Sequence, residues 1–405
     1  MEKIKCEICG AECHAIQIHL RDTHPEMTVA EYSATYPGAP LMSEFTKKRL
    51  AEREAAKKAA APVAKEPEVI KEEPAAKEQP PAEPGAISSS AVPTDVIVKK
   101  NLHEVFELGR VKAALSGAGT PIPITCISNA ATSEFIPSVS GDYVYNVDEL
   151  KNVILALELK INPYVWGHKG SGKSELFEQI AARTGRPLMR IQHTAGTEES
   201  HVVGQWVVRN GQTEFELGPL ALAMKHGWMY LADEYDFASP AVTSVYQAVL
   251  EGKALVIKEA DAANRIIHPH PNFRFVATGN TNGSGDETGL YQGTNLQNSA
   301  NYDRFGMVIY KDYMGKADES KILQKRAGLV KEDADKLVEF ANLVRDAYKS
   351  SKISDTVSPR ALINAAKLGV MRGSFRQGVT LSFINKLTSV DREVVDGLAQ
   401  RVLGV

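Results

Sequence analysis

Residues 165–174 read V-W-G-H-K-G-S-G-K-S, and this stretch decides the fold. Gly167, Gly172, Lys173 and Ser174 fit the pattern G-x-x-x-x-G-K-[ST]; an apolar run (Tyr164, Val165, Trp166) precedes it and a helix-compatible segment, 175–183, follows. Strand, glycine-rich loop and helix in that order let backbone N–H groups wrap a polyphosphate, with the favourable field of a helix N-terminus added. A lysine at position 173 reaches β- and γ-phosphates, and a hydroxyl at position 174 can ligate Mg²⁺. The competing reading is a plain glycine-rich turn, which leaves the flanking strand and helix patterns without a purpose. The whole loop (Gly167, His168, Lys169, Gly170, Ser171, Gly172, Lys173 and Ser174) is therefore a candidate binding site for a nucleoside triphosphate.

Two further strand-like runs carry polar residues at their ends. W-M-Y-L-A-D-E (228–234) is a buried-strand pattern closed by two acids, the Walker B arrangement. There Asp233 can act on Mg²⁺, and Glu234 can polarise the attacking water as general base. F-R-F-V-A-T-G-N-T (273–281) puts Asn280 at a strand tip, where an uncharged amide can orient water. Arg304 in D-R-F (303–305) and Arg360 in S-P-R (358–360) offer guanidinium groups suited to planar contact with phosphate oxygens. Either tripeptide alone is as compatible with a surface salt bridge or a helix start; their order after the acidic pair favours the phosphate.

The rest of the 405 residues falls into three regimes. Residues 1–50 are compact and mixed. Residues 51–94 are rich in Ala, Glu, Lys and Pro with almost no large apolar side chains, which predicts a disordered tether, with a helical start before Pro62. Strand-like runs at 164–166, 188–191, 229–232, 273–278 and 307–310 alternate with helical patterns at 148–159, 174–183, 220–225 and 240–251. Such alternation predicts an α/β fold, a mostly parallel sheet covered on both faces, over 95–314. Over 315–405 the strands stop, and helical patterns at 333–348, 359–370 and 381–388 predict a small helical domain. The net charge of −3 gives no overall argument for nucleic acid. No apolar run approaches the about 18 residues of a membrane span, and three of the four cysteines cluster at 6, 9 and 13. The expected setting is a reducing cytoplasm.

From about 100 to 405 the chain resembles a AAA+ ATPase of the MoxR branch, especially the CobS-type ATPase subunit of aerobic cobaltochelatase. The resemblance runs through G-H-K-G-S-G-K-S (167–174), F-E-Q-I-A-A-R (177–183), A-D-E-Y-D (232–236) and H-P-H-P-N-F-R-F-V-A-T-G-N-T (268–281). It continues through G-D-E-T-G-L-Y-Q-G-T (285–294), Y-D-R-F (302–305) and S-P-R (358–360). It implies a P-loop domain with a helical lid, in a ring, usually hexameric, with ATP and Mg²⁺ at subunit interfaces. By the same resemblance Asn280 is sensor 1, Arg304 an arginine finger reaching a neighbour's γ-phosphate, and Arg360 the sensor 2 arginine of the lid. The two runs around Asn210-Gly211 in 203–217 form a hairpin that contacts substrate or partner, and 253–270 is a second insertion. A von Willebrand A-type adaptor and a larger partner are implied, and the motor acts on their complex. The alternative is a MoxR-type remodelling ATPase, phage-encoded or not, tethered by its N-terminal module and without a role in metal chelation.

That module has Cys6-x2-Cys9-x9-His19-x4-His24, a zinc-ligand spacing with Gly10 turning after the knuckle. Four such ligands can close a tetrahedral site and stabilise a piece too small for its own core. The alternatives are a reduced cysteine pair with unrelated histidines, or Cys13 or His14 standing in for one ligand. The stretch M-T-V-A-E-Y-x-x-x-Y-P-G-A-P-L (27–41) resembles Ros/MucR-type zinc fingers. Six basic side chains against seven acidic ones in 1–50 make a poor footprint for DNA. Docking to protein is favoured, with Lys47-Lys48-Arg49 as a local basic exception through which nucleic acid stays possible.

Overall fold

The computed structural model describes residues 4–13, 16–24, 27, 29–41, 43 and 96–404, except 110, 129–133, 210 and 287–288. The tether expected over 51–94, the basic cluster at 47–49 and Asn210 lie outside the described residues. The chain divides into two compact units, Met1–Ile87 and Ser88–Val405.

In the first unit β1 (Ile4–Lys5) pairs antiparallel with β2 (Glu12–Cys13), followed by α1 (Ile16–Thr23) and α2 (Val29–Thr35). The turn between the strands closes with the Gly10 amide donating to the Cys6 carbonyl at 2.7 Å and the Cys6 amide donating to the Ala11 carbonyl at 2.9 Å. Its buried centre is Cys6, Ile16, Leu20 and Tyr32, and the Tyr32 hydroxyl accepts the Glu7 N–H at 2.9 Å. So few apolar groups are a thin basis for independent stability.

In the second unit β3 (Val96–Asn101) and β4 (Pro123–Ser128) form an antiparallel pair. The chain continues through α3 (Val147–Leu159), β5 (Pro163–Trp166), α4 (Lys173–Thr184), β6 (Leu188–Gln192) and α5 (Glu199–Val203). A hairpin of β7 (Gly204–Arg209) and β8 (Gln212–Leu217) precedes α6 (Pro219–His226), β9 (Met229–Asp233) and α7 (Pro240–Leu250). Trp206 and Val208 on that hairpin stand exposed. The short pair β10 (Leu255–Val256) and β11 (Ile266–Ile267) follows, then β12 (Arg274–Gly279) and β13 (Met307–Tyr310).

Strands β13, β5, β12, β9 and β6, in that spatial order, make a five-stranded parallel sheet. Its inner strands are apolar without alternation because both faces are covered. Met229 and Leu231 of β9, Val276 of β12 and Val165 of β5 pack with α3 and α4. Tyr230, Ala232, Phe275, Ala277 and Tyr164 face the other way, onto α6 and α7. Helix α7 starts sharply because Pro240 is its first residue and the Ser239 hydroxyl accepts the Val242 N–H.

The lid comprises α8 (Lys316–Ala327), α9 (Lys331–Lys349), α10 (Pro359–Arg372), α11 (Phe375–Ser382) and α12 (Ser389–Leu403), around a core of its own. The helix expected at 381–388 is not formed as one piece. Helix α11 ends at Ser382, a single turn spans Ile384–Lys386, and Thr388 caps α12 by accepting the Asp391 N–H. Phe383, Ile384 and Leu387 are buried at spacings that mimic a helix face, while the chain between them turns. No helix among the described residues is long and apolar enough to cross a membrane.

Candidate functional site

A cavity of about 1140 Å³ opens at the C-terminal ends of β5, β9 and β12, between the sheet and the lid. The loop from Gly167 to Gly172 joins β5 to α4, and its residues Lys169 to Gly172 line the cavity. Gly167 has φ of +152°, and a Cβ there would stand 2.2 Å from the Lys311 carbonyl oxygen, so the close approach of β13 requires glycine. At Gly170 the lid makes the same demand, since a Cβ would stand 2.8 Å from the Cβ of Ser358. The loop is also gripped from outside. The Lys169 N–H donates to the Tyr291 hydroxyl at 3.1 Å, the Lys169 ammonium pairs with Asp355 at 2.5 Å, and His168 stacks on Tyr313.

Lys173 is the first residue of α4, and its ammonium donates to the Gly167 carbonyl at 2.8 Å and to Asn280 Oδ1 at 3.0 Å. Burial brings its pKa down to about 8, although Asp236, Asp233 and Glu234 pull it upward. The next residue, Ser174, donates its hydroxyl to Asp233 Oδ1 at 2.6 Å, and Thr278 donates to the same oxygen. Glu234 follows in a left-handed conformation, φ +52°, which turns its carboxylate away from the strand line; the Gln192 amide donates to it at 3.3 Å.

Several residues here were not singled out from sequence. Arg190 on β6 donates from Nε to Asp233 Oδ2 at 2.9 Å and from Nη1 to Glu178 at 2.7 Å. Arg190 and Gln192 alternate along an edge strand, and that alternation of polar residues is the signal that could have found them. Asp236, fully buried, takes the N–H groups of Asn280 and Thr281, both at 2.8 Å, so it fixes the tip of β12. Burial pushes its carboxyl above the ordinary range, against the pull of the Thr281 and Asn280 donors.

The two arginines separate. Arg360, in the first turn of α10, lines the cavity together with Lys173, Asp233, Glu234 and Asn280. Arg304 is not among the described lining residues. Its Nε and Nη2 donate to Glu251 Oε1 at 2.8 and 2.6 Å, and Nη1 donates to the Ala300 carbonyl.

Comparison with known proteins identifies the family. Residues 164–305 match the AAA domain family (dynein-related subfamily), and 319–404 match the CbbQ/NirQ/NorQ C-terminal family. The chain is 32% identical over 282 residues to the aerobic cobaltochelatase subunit CobS of a Sinorhizobium species, covering 67% of this chain and 84% of that one. It is 26% identical to the protein NorQ of Paracoccus denitrificans, covering 57% and 82% respectively. The chain belongs to the MoxR-type AAA+ ATPases. ATP hydrolysis, with Mg²⁺ as the accompanying ion, is the reaction of this AAA+ domain. A solved structure of the Thermotoga maritima RuvB branch migration motor is similar at TM-score 0.37 and 15% identity, over 67% of this chain and 75% of that one. The membership rests on the sequence relatives.

In this ATPase the lowered pKa of Lys173 has a measurable consequence. Phosphate favours the charged lysine, so binding takes up a proton once the free protein has lost it. ATP affinity is therefore expected to hold below pH 8 and to fall as pH rises through about 8. Calorimetry in buffers of different ionisation enthalpy detects the uptake; an affinity flat through that range contradicts it.

In the first unit, ligand atoms of Cys6, Cys9, His19 and His24 all lie within 4.8 Å of one another. Cys9 Sγ and His19 Nε2 are 3.2 Å apart. Burial pushes the Cys6 thiol up, but backbone N–H groups of Cys9 and Ile8 outweigh it and leave it below its ordinary range. Two thiols and two imidazoles converging this closely fit the donor set of a tetrahedral zinc site.

Proposed function

We propose that this ATPase is the motor subunit of a multiprotein complex, working as a ring whose ATP sites lie between subunits. The observation that carries this reading is the position of Arg304: the cavity contains each candidate catalytic group except that arginine, which stands outside on Glu251. Lys173 is assigned to the β- and γ-phosphates, and the loop amides from Gly167 to Gly172 to the rest of the polyphosphate. Ser174 and Asp233 hold Mg²⁺, which neutralises phosphate charge when bound. Glu234 takes the proton from water, Asn280 orients that water, Arg360 reports the nucleotide to the lid, and a neighbour's Arg304 completes the site. A hexamer and a von Willebrand A-type adaptor with a larger partner are the assembly that the likeness to CobS suggests.

Zinc held by Cys6, Cys9, His19 and His24 would make the N-terminal module a docking piece in the cytoplasm, for a protein target before DNA. Zinc stoichiometric with the purified chain is expected, lost in Cys9→Ser; a chain that retains none contradicts this assignment. That separate Cys/His cluster also favours a second reading, a tethered remodelling ATPase without chelatase work. Capture from native lysate on ATP-loaded Glu234→Gln protein distinguishes the two. A metal-inserting catalytic subunit supports the first, and other proteins, or DNA retained through residues 1–50, support the second.

A further inference from the structure

The acceptor positions of Asp233 are all in use by protein donors. Oδ1 takes the hydroxyls of Ser174 and Thr278, and Oδ2 takes Nε and Nη2 of Arg190. A carboxylate offers about four lone-pair directions, so this one is saturated. Asp233 is buried at 3% exposure, where an ionised carboxylate needs a cation, and Arg190 is that cation. The guanidinium is held without being enclosed. Its side chain is 42% exposed, it borders the cavity, and Nη1 is anchored on Glu178 of α4.

We propose that Arg190 is a positioning residue that competes with the divalent cation for the Asp233 carboxylate, so that a cation held there with nucleotide would loosen the guanidinium, which Glu178 also holds. The inference rests on the assignment of Asp233 and Ser174 to Mg²⁺. Both lone-pair directions of each Asp233 oxygen already hold a donor, so a cation bound to this carboxylate must weaken at least one of those bonds, and the charge-assisted pair to Arg190 holds strongly enough to matter. Glu178, 2.7 Å from Nη1, keeps the guanidinium at the cavity wall. Arg190 therefore serves as counter-ion to Asp233 and sets how much the protein gains from the metal.

The test is the ratio of ATP affinity in magnesium to ATP affinity in EDTA, measured by equilibrium binding on the full chain. Arg190→Ala is expected to raise that ratio about tenfold, because the metal no longer displaces a guanidinium. Arg190→Lys, which keeps the charge but not the guanidinium's paired contacts and serves as the fold control, is expected to fall between wild type and Arg190→Ala. Asp233→Asn is expected to lower the ratio. If Asp233→Asn lowers it while Arg190→Ala leaves it unchanged or lower, the competition is overturned and the metal assignment stands. If Asp233→Asn leaves it unchanged, the metal assignment fails and the competition falls with it.

Discussion

Glu234→Gln is expected to leave ATP binding intact and to cut turnover by at least about 100-fold, the scale of a lost general base. The groups proposed to hold nucleotide are untouched by this change: Lys173 keeps its contacts to Gly167 and Asn280, and Ser174 and Thr278 keep theirs to Asp233. What is lost is the carboxylate at the left-handed turn after β9, which the Gln192 amide holds at 3.3 Å. Glutamine fits the same space but cannot take a proton from water. Steady-state phosphate release measures the turnover, and binding of a fluorescent ATP analogue measures the affinity. Turnover near wild type in the variant removes Glu234 from its role.

Arg304→Ala is expected to cost about 1000-fold in turnover, the range seen when an arginine finger is withdrawn from a phosphoryl-transfer site. Its own cavity should still bind ATP, since the side chain stands outside on Glu251 and the Ala300 carbonyl. The decisive version mixes two inactive proteins. A subunit carrying Arg304→Ala has an intact phosphate loop, and a subunit carrying Lys173→Ala has an intact arginine. Where the two meet in the right order, a complete site forms, so the mixture should recover part of the activity that each lacks alone. Activity lost in Arg304→Ala but not recovered by mixing assigns Arg304 to its own subunit's stability or chemistry.

The sheet was readable from sequence because its strands are buried on both faces. Runs such as M-Y-L-A ending in Asp233-Glu234 leave little choice but a central strand with polar residues at its tip. The phosphate loop was readable because glycine is required where β13 and the lid press against it. The partners that tune the acids were less accessible. Arg190 and Gln192 lie some forty residues before the groups they hold, and only the β6–β9 register brings them together. Asp236 was visible in the acidic stretch, yet its grip on the Asn280 amide depends on a turn that no spacing rule specifies. The end of the lid was misread for a similar reason. Buried Phe383, Ile384 and Leu387 imitate a helix face, while the Thr388-x-x-Asp391 cap that starts α12 was the better signal.

In the proposed ring a lone chain lacks a complete catalytic site. The measurement to make is turnover per chain as a function of protein concentration. Low turnover is expected in dilute protein, rising to a plateau as subunits associate. Turnover that stays constant down to concentrations at which the chain is monomeric by mass would contradict it.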